Sequence, residues 1–141
     1  MSARSKARKQ TLDLLYEADI RGTSLLELLE QRLEKADDGS DSRPIREFTR
    51  ELVQGVSMNR RKIDELIATY AQGWDMDRLP AVDRNILRLG IYELVWTPEL
   101  AEGIVINEAL NLAKELSTDE SAGYIHGVLG KISEIRESIA R

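Results

Sequence analysis

No cysteine occurs anywhere in the 141-residue sequence, which removes disulfides, thiolate zinc sites and cysteine nucleophiles together. A single histidine, His126, leaves no partner for a histidine-based metal cluster. Prolines number three and glycines nine, too few for a collagen-like or loop-dominated chain. No apolar run approaches the ~20 residues that a membrane-spanning helix needs. The opening MSARSKARKQ is followed by the amphipathic TLDLLYEADI, unlike the apolar stretch of a secretory signal. The expectation is a cytoplasmic protein without metal, cofactor or membrane contact.

What is present is a globular composition, 42% hydrophobic and 32% charged, with an uneven distribution of charge. The formal net charge is −5, yet Arg4, Lys6, Arg8 and Lys9 give the first ten residues +4 with no acid, leaving −9 on the remaining 131. A basic arm on an acidic body cannot bind nucleic acid over its whole surface, because the body repels phosphate. It points to a localised contact assisted by a second macromolecule, with an ordinary solvated tail as the alternative.

Apolar spacing is helical throughout and β alternation is nowhere visible. The first helix runs from Ala3 to about Ile20 and stops at Gly22. Arg4 and Arg8 share the arc of Leu12 and Leu15, so the first two turns are expected to overhang the body with their cations in water. Ser24 with Glu27 forms a capping box before a stripe of Leu25, Leu28, Leu29 and Leu33. Asp37 to Arg43 reads as a loop. Further helices carry Ile45, Phe48, Leu52, Val53 and Val56, then Ile63, Leu66, Ile67 and Tyr70. Pro80 opens a helix apolar on more than one side and therefore central. Another passes through Ile106 to Ala113, and Ser117 with Glu120 forms a second capping box for the last helix. The fold class is all-α, about seven helices in two packed halves, 1–79 and 80–141, meeting at Leu79-Pro80.

Catalytic patterns are not supported. Carboxylates sit beside Lys and Arg on helix faces, Gly127 to Lys131 lacks the spacing of a phosphate cradle and reads as close helix packing, and His126 has no triad partner. Arg60-Arg61-Lys62 reads as solvated charge. Tyr70, Trp74, Tyr92 and Trp96 read as core, with Trp74 closing its helix. Tyr124, just inside the last helix and beside small residues, is a candidate for stacking on a base or for partial burial.

The blocks Arg4-x-x-Ala7, Leu15-Tyr16, Gly55-Val56, Ile63-Asp64, Val82-Asp83-Arg84-x-Ile86-Leu87-Arg88, Tyr92-Glu93-Leu94, Ile106-Asn107-Glu108-Ala109, Leu112-Ala113-Lys114 and Gly127-Val128-Leu129 occur in this order. Together they resemble the bacterial transcription antitermination family NusB over nearly the whole chain. The resemblance implies a non-enzymatic protein that binds single-stranded boxA RNA of ribosomal RNA leader transcripts. It also implies pairing with NusE, a small-subunit ribosomal protein, within an RNA polymerase antitermination complex with other Nus factors. It assigns Arg4, Lys6, Arg8 and Lys9, with Glu120 and Tyr124, to RNA, and Tyr16 and Asp83 to a mixed apolar and charged partner surface. Ser5 interrupts the arginine run common in the family, and His126 replaces its usual asparagine. Two other readings are a stand-alone RNA-targeting relative of the NusB-like domain of rRNA methyltransferases and a homodimeric helical scaffold that does not bind RNA strongly.

Overall fold

The computed structural model describes residues 2–37, 44–71, 73 and 78–140. Seven helices and no strand occur among the described residues: α1 (Ala3–Arg21), α2 (Leu25–Asp37), α3 (Glu47–Met58), α4 (Arg60–Tyr70), α5 (Ala81–Trp96), α6 (Glu102–Leu116) and α7 (Asp119–Ala140). The all-α expectation is met. No described helix is long and apolar enough to cross a membrane. The expected loop from Asp37 to Arg43 starts at the last residue of α2; its remainder, like Trp74, lies outside the described residues.

The chain divides into two compact units, Met1–Met58 and Asn59–Arg141. The boundary therefore falls before α4 rather than at Leu79-Pro80. The reason lies in Asp64 of α4, which is tied to α5: Arg88 donates to it from Nε at 2.9 Å and from Nη2 at 3.3 Å.

In the first unit, α1 packs on both α2 and α3, and α2 on α3. Ser2 caps α1, its Oγ accepting from the Ser5 N–H at 3.0 Å. Gly22 ends the helix in the left-handed region at φ 65°, where its N–H bonds the carbonyls of Ala18 and Asp19. Ser24 starts α2 by accepting from the Glu27 N–H at 3.3 Å, the serine half of the expected box. Arg32 of α2 donates to both oxygens of Glu17 of α1 at 2.6 Å, and Arg21 adds a bond at 2.7 Å. The Arg32 bond, opposed by burial and supported by Arg21, holds the Glu17 carboxyl below the usual glutamate range. Its contribution to stability is present above that range and is lost as pH falls through the lowered pKa.

In the second unit, α5 packs against α4, α6 and α7. It is buried at Asp83, without a break from Asn85 to Ile91, and again from Glu93 to Val95, the central position that its broad apolar arc implied. Tyr92 and Trp96, expected in the core, are instead half-buried and stack on each other with centroids 6.2 Å apart. Tyr70 is also half-buried.

Close packing occurs at a glycine other than those singled out from sequence. A Cβ on Gly90 would meet the methyls of Leu129 at 3.0 and 3.1 Å, whereas one on Gly127 or Gly130 would meet nothing within 4 Å. Leu129 is fully buried, as are Ile125 and Ile132 on the same helix, so its methyls have little room in which to yield. Gly90→Ala is expected to destabilise by about 1 kcal/mol, overpacking outweighing the helix propensity gained. Gly127→Ala, exposed in mid-helix, is expected to stabilise by up to ~1 kcal/mol. Urea unfolding of the two variants checks the opposite signs.

Candidate functional site

In the first unit the basic arm is an integral part of α1. Thr49 Oγ1 of α3 lies 3.1 Å from the Ala7 carbonyl and 2.8 Å from Gln10 Oε1, its single proton shared between the two acceptors. Gln10 in turn donates to the Pro44 carbonyl and accepts from the Arg46 N–H, both at 3.0 Å. The second turn of α1 is thereby stitched to the start of α3. Arg4 and Lys6 are exposed and Lys9 is half-buried.

Arg8 corrects the expectation that the first two turns overhang in water, because it is only 3% exposed. Its guanidinium carbon lies 5.4 Å from the centre of the Phe48 ring, and that of Arg4 lies 4.5 Å from the same ring. Attraction to the ring face offsets part of the desolvation that made burial look prohibitive. In the sequence Phe48 registered only as one more apolar position of its helix; an aromatic at the start of α3 was the available signal.

Tyr16, farther along α1, is 38% exposed, and Ile20, one turn on, is 59% exposed. At i and i+4 the two share a face, giving α1 an open apolar pair.

In the second unit Asp83, Glu120 and Tyr124 come together. They line one cleft of about 200 Å³ with Leu79, Pro80, Thr118 and Ser121. Asp83 is 3% exposed, so the carboxylate expected on a partner surface is an interior one. Its Oδ2 accepts from Ser121 Oγ at 2.7 Å, joining α5 to α7, while its Oδ1 is buried with no hydrogen bond. Val82, the apolar neighbour of Asp83, is only half-buried.

The cap of α7 also differs from expectation. Thr118, not Ser117, accepts from the Ser121 N–H at 2.9 Å. Ser117 instead donates to Ser121 Oγ at 3.1 Å. Glu120 is then an exposed first-turn residue, where a carboxylate suits the helix dipole. Spacing to Glu120 favoured Ser117; Ser121 escaped notice because its partner lies 38 residues away.

Tyr124 is half-buried. Burial, and secondarily the charge of Asp83, push its hydroxyl pKa up, so it stays a neutral phenol at physiological pH. It also borders a second, more open groove of about 600 Å³ with Thr69, Tyr70, Gly123, Gly127, Val128 and Lys131. His126 is exposed.

Cations fixed on a helix, an open apolar pair and a cleft with a tyrosine and carboxylates are the chemical features that this all-helical chain presents. The model of the NusB family matches residues 5–134, and the chain belongs to that family. The transcription antitermination protein NusB of Streptomyces avermitilis is 44% identical over 141 residues, covering 100% of this chain and 98% of the relative. Among solved structures, NusB of T. maritima superposes with a TM-score of 0.80 at 30% identity, covering 94% of this chain and 92% of that one. A structure of antitermination factors NusB and NusE in complex with double-stranded RNA gives 0.78 at 28% identity, covering 93% and 96%. Antitermination proteins of this family are regulatory factors and not enzymes.

The geometry at Asp83 generates a stability test. Ser121→Ala leaves Oδ2 unpaired in the interior and is expected to cost about 1 to 3 kcal/mol. Asp83→Lys places an unmatched cation there and is expected to cost roughly 3 kcal/mol or more. Urea unfolding measures both; wild-type stability for Asp83→Lys would return Asp83 to the surface.

Proposed function

We propose that this chain is a non-enzymatic transcription antitermination factor that binds boxA RNA of ribosomal RNA leader transcripts together with NusE, within the RNA polymerase antitermination complex. The observation that carries the reading is the arm: four cations and no acid in ten residues of a chain otherwise at −9, with Arg4 and Lys6 exposed on a helix. The structural relative in complex with NusE and RNA supports it.

Roles divide by chemistry. Arg4, Lys6 and Lys9 meet phosphate. Arg8, being buried, adds charge from behind. The cleft of the second unit carries Glu120 and Asp83, which repel phosphate, so it meets a base instead. Tyr124 offers it a ring, and Glu120 an acceptor for base N–H groups. The open pair Tyr16 and Ile20 on α1 suits the apolar part of a protein interface. That leaves Tyr16 as the partner contact, with Asp83 acting on the partner only through the packing of α5 and α7. Because the body is acidic, a partner that adds basic surface strengthens the RNA contact without new chemistry.

The test is binding of a single-stranded boxA oligonucleotide by the full chain across a salt series, with the same sequence as a duplex for comparison. The three arm cations assigned to phosphate, Arg4, Lys6 and Lys9, give a log–log salt slope no steeper than about −2. Replacing Arg4, Lys6 and Lys9 by Gln is expected to weaken binding and flatten that slope while the fold persists; unchanged affinity would falsify the arm's role.

Tyr124→Ala is expected to lose about 1 to 3 kcal/mol of RNA binding, whereas Tyr124→Phe keeps the ring and most of the affinity. Equal RNA affinity for both variants and the unaltered chain would remove Tyr124 from the site. RNA binding that NusE does not affect would favour the RNA-targeting reading, and a dimer indifferent to both would favour the scaffold.

A further inference from the structure

Arg4 and Arg8 stand one turn apart on the same face of α1, an arrangement that is repulsive on an isolated helix. Both guanidinium groups nevertheless lie within reach of one ring, at 4.5 and 5.4 Å from the centre of Phe48. That ring belongs to the first turn of α3, and the residue after it, Thr49, is bonded to Ala7 and Gln10 on the same stretch of α1. The ring therefore cannot drift from the arm. Phe48 is half-buried and Arg8 almost wholly so, while Arg4 is exposed. The outcome is two cations held over one ring fixed by α3, Arg8 buried and Arg4 exposed to solvent.

We propose that Phe48 is a positioning residue for RNA binding, holding the Arg4 guanidinium in place on α1 before the phosphate arrives. The proposal rests on the reading of the arm as the RNA contact. An arginine free in water gives up rotamer freedom when it is fixed on a phosphate. Held against a ring face, it has already given up part of that freedom on folding, and its remaining N–H donors stay available at the edge of the guanidinium plane. Arg8, almost wholly buried, does not itself reach a phosphate. A composition-level view counts four equivalent cations; the packing distinguishes a presented one, Arg4, from a supporting one, Arg8.

The experiment is a double-mutant cycle on RNA affinity in the full chain, read by fluorescence anisotropy with a labelled boxA single strand, alongside urea unfolding of each variant. Phe48→Leu fills similar space without a π face and is expected to weaken binding roughly two- to fivefold, the size of an exposed cation–π contact. Phe48→Trp keeps a stronger π face and is expected to bind at least as tightly as the unaltered chain. In combination with Arg4→Gln, both substitutions are expected to lose their effect on affinity. Should Phe48→Leu fail to fold, the comparison of Phe48→Trp with and without Arg4→Gln carries the same contrast.

An effect of either Phe48 substitution that persists in full beside Arg4→Gln overturns the proposal, since Phe48 would then act through the fold alone. So does unaltered affinity for a folded Phe48→Leu variant when Arg4→Gln by itself weakens binding. Failure of the unaltered chain to bind RNA at all contradicts the reading of the arm, and this proposal with it.

Discussion

A helix buried on nearly every side has to satisfy whatever charge it carries, and α5 carries Asp83, Arg88 and Glu93 inside. Most of what the second unit does follows from that constraint. Arg88 finds Asp64, which Arg60 also holds at 3.0 Å, and bonds Asn85 Oδ1 at 2.9 Å within its own helix; α4 is thereby drawn to α5. Asp83 finds Ser121 and draws in the first turn of α7. Removing one member of such a pair strands the other in a medium of low polarity, a loss larger than the pair's own net contribution. Its value is orientation: the second bond places Glu120 and Tyr124, the neighbours of Ser121, around one cleft.

The arm of the first unit is organised by a different balance. There, a ring and a seam of hydrogen bonds make a buried arginine tolerable and hold an exposed one in place. Each unit thus presents one set of contacts, cationic on α1 and aromatic with carboxylates at the start of α7. In the function proposed, RNA meets the first set through its phosphates and the second through its bases. Four cations against an acidic body make a modest site, which is why the function proposed for the chain includes a partner.

Periodicity made the helices legible because apolar spacing and caps are local. Gly22, Ser24 and the stripes of α2 and α4 act within a few residues of themselves. The blocks that carry the family resemblance were legible as well, and the structure supplies their physics: Asp64 and Arg88 form the clamp between α4 and α5, and Gly90, just beyond the Arg88 block, admits Leu129. What stayed hidden depends on distant pairs. Asp83 looks like a surface acid until Ser121 is brought to it, and Arg8 looks solvated until Phe48 covers it. The choice of Thr118 over Ser117 as cap turned on a single residue of register. Gly127 and Gly130 resemble packing glycines by spacing, yet only the tertiary structure distinguishes open space from contact.

The central claim is that RNA and NusE bind this chain as coupled ligands. Calorimetric titration of the boxA single strand into the chain, with and without saturating NusE, measures the coupling in one direction; titration of NusE with and without RNA measures it in the other. The account predicts that each partner tightens the other by the same factor, at least about fivefold. Affinities for each that are identical in the presence and absence of the other would contradict it.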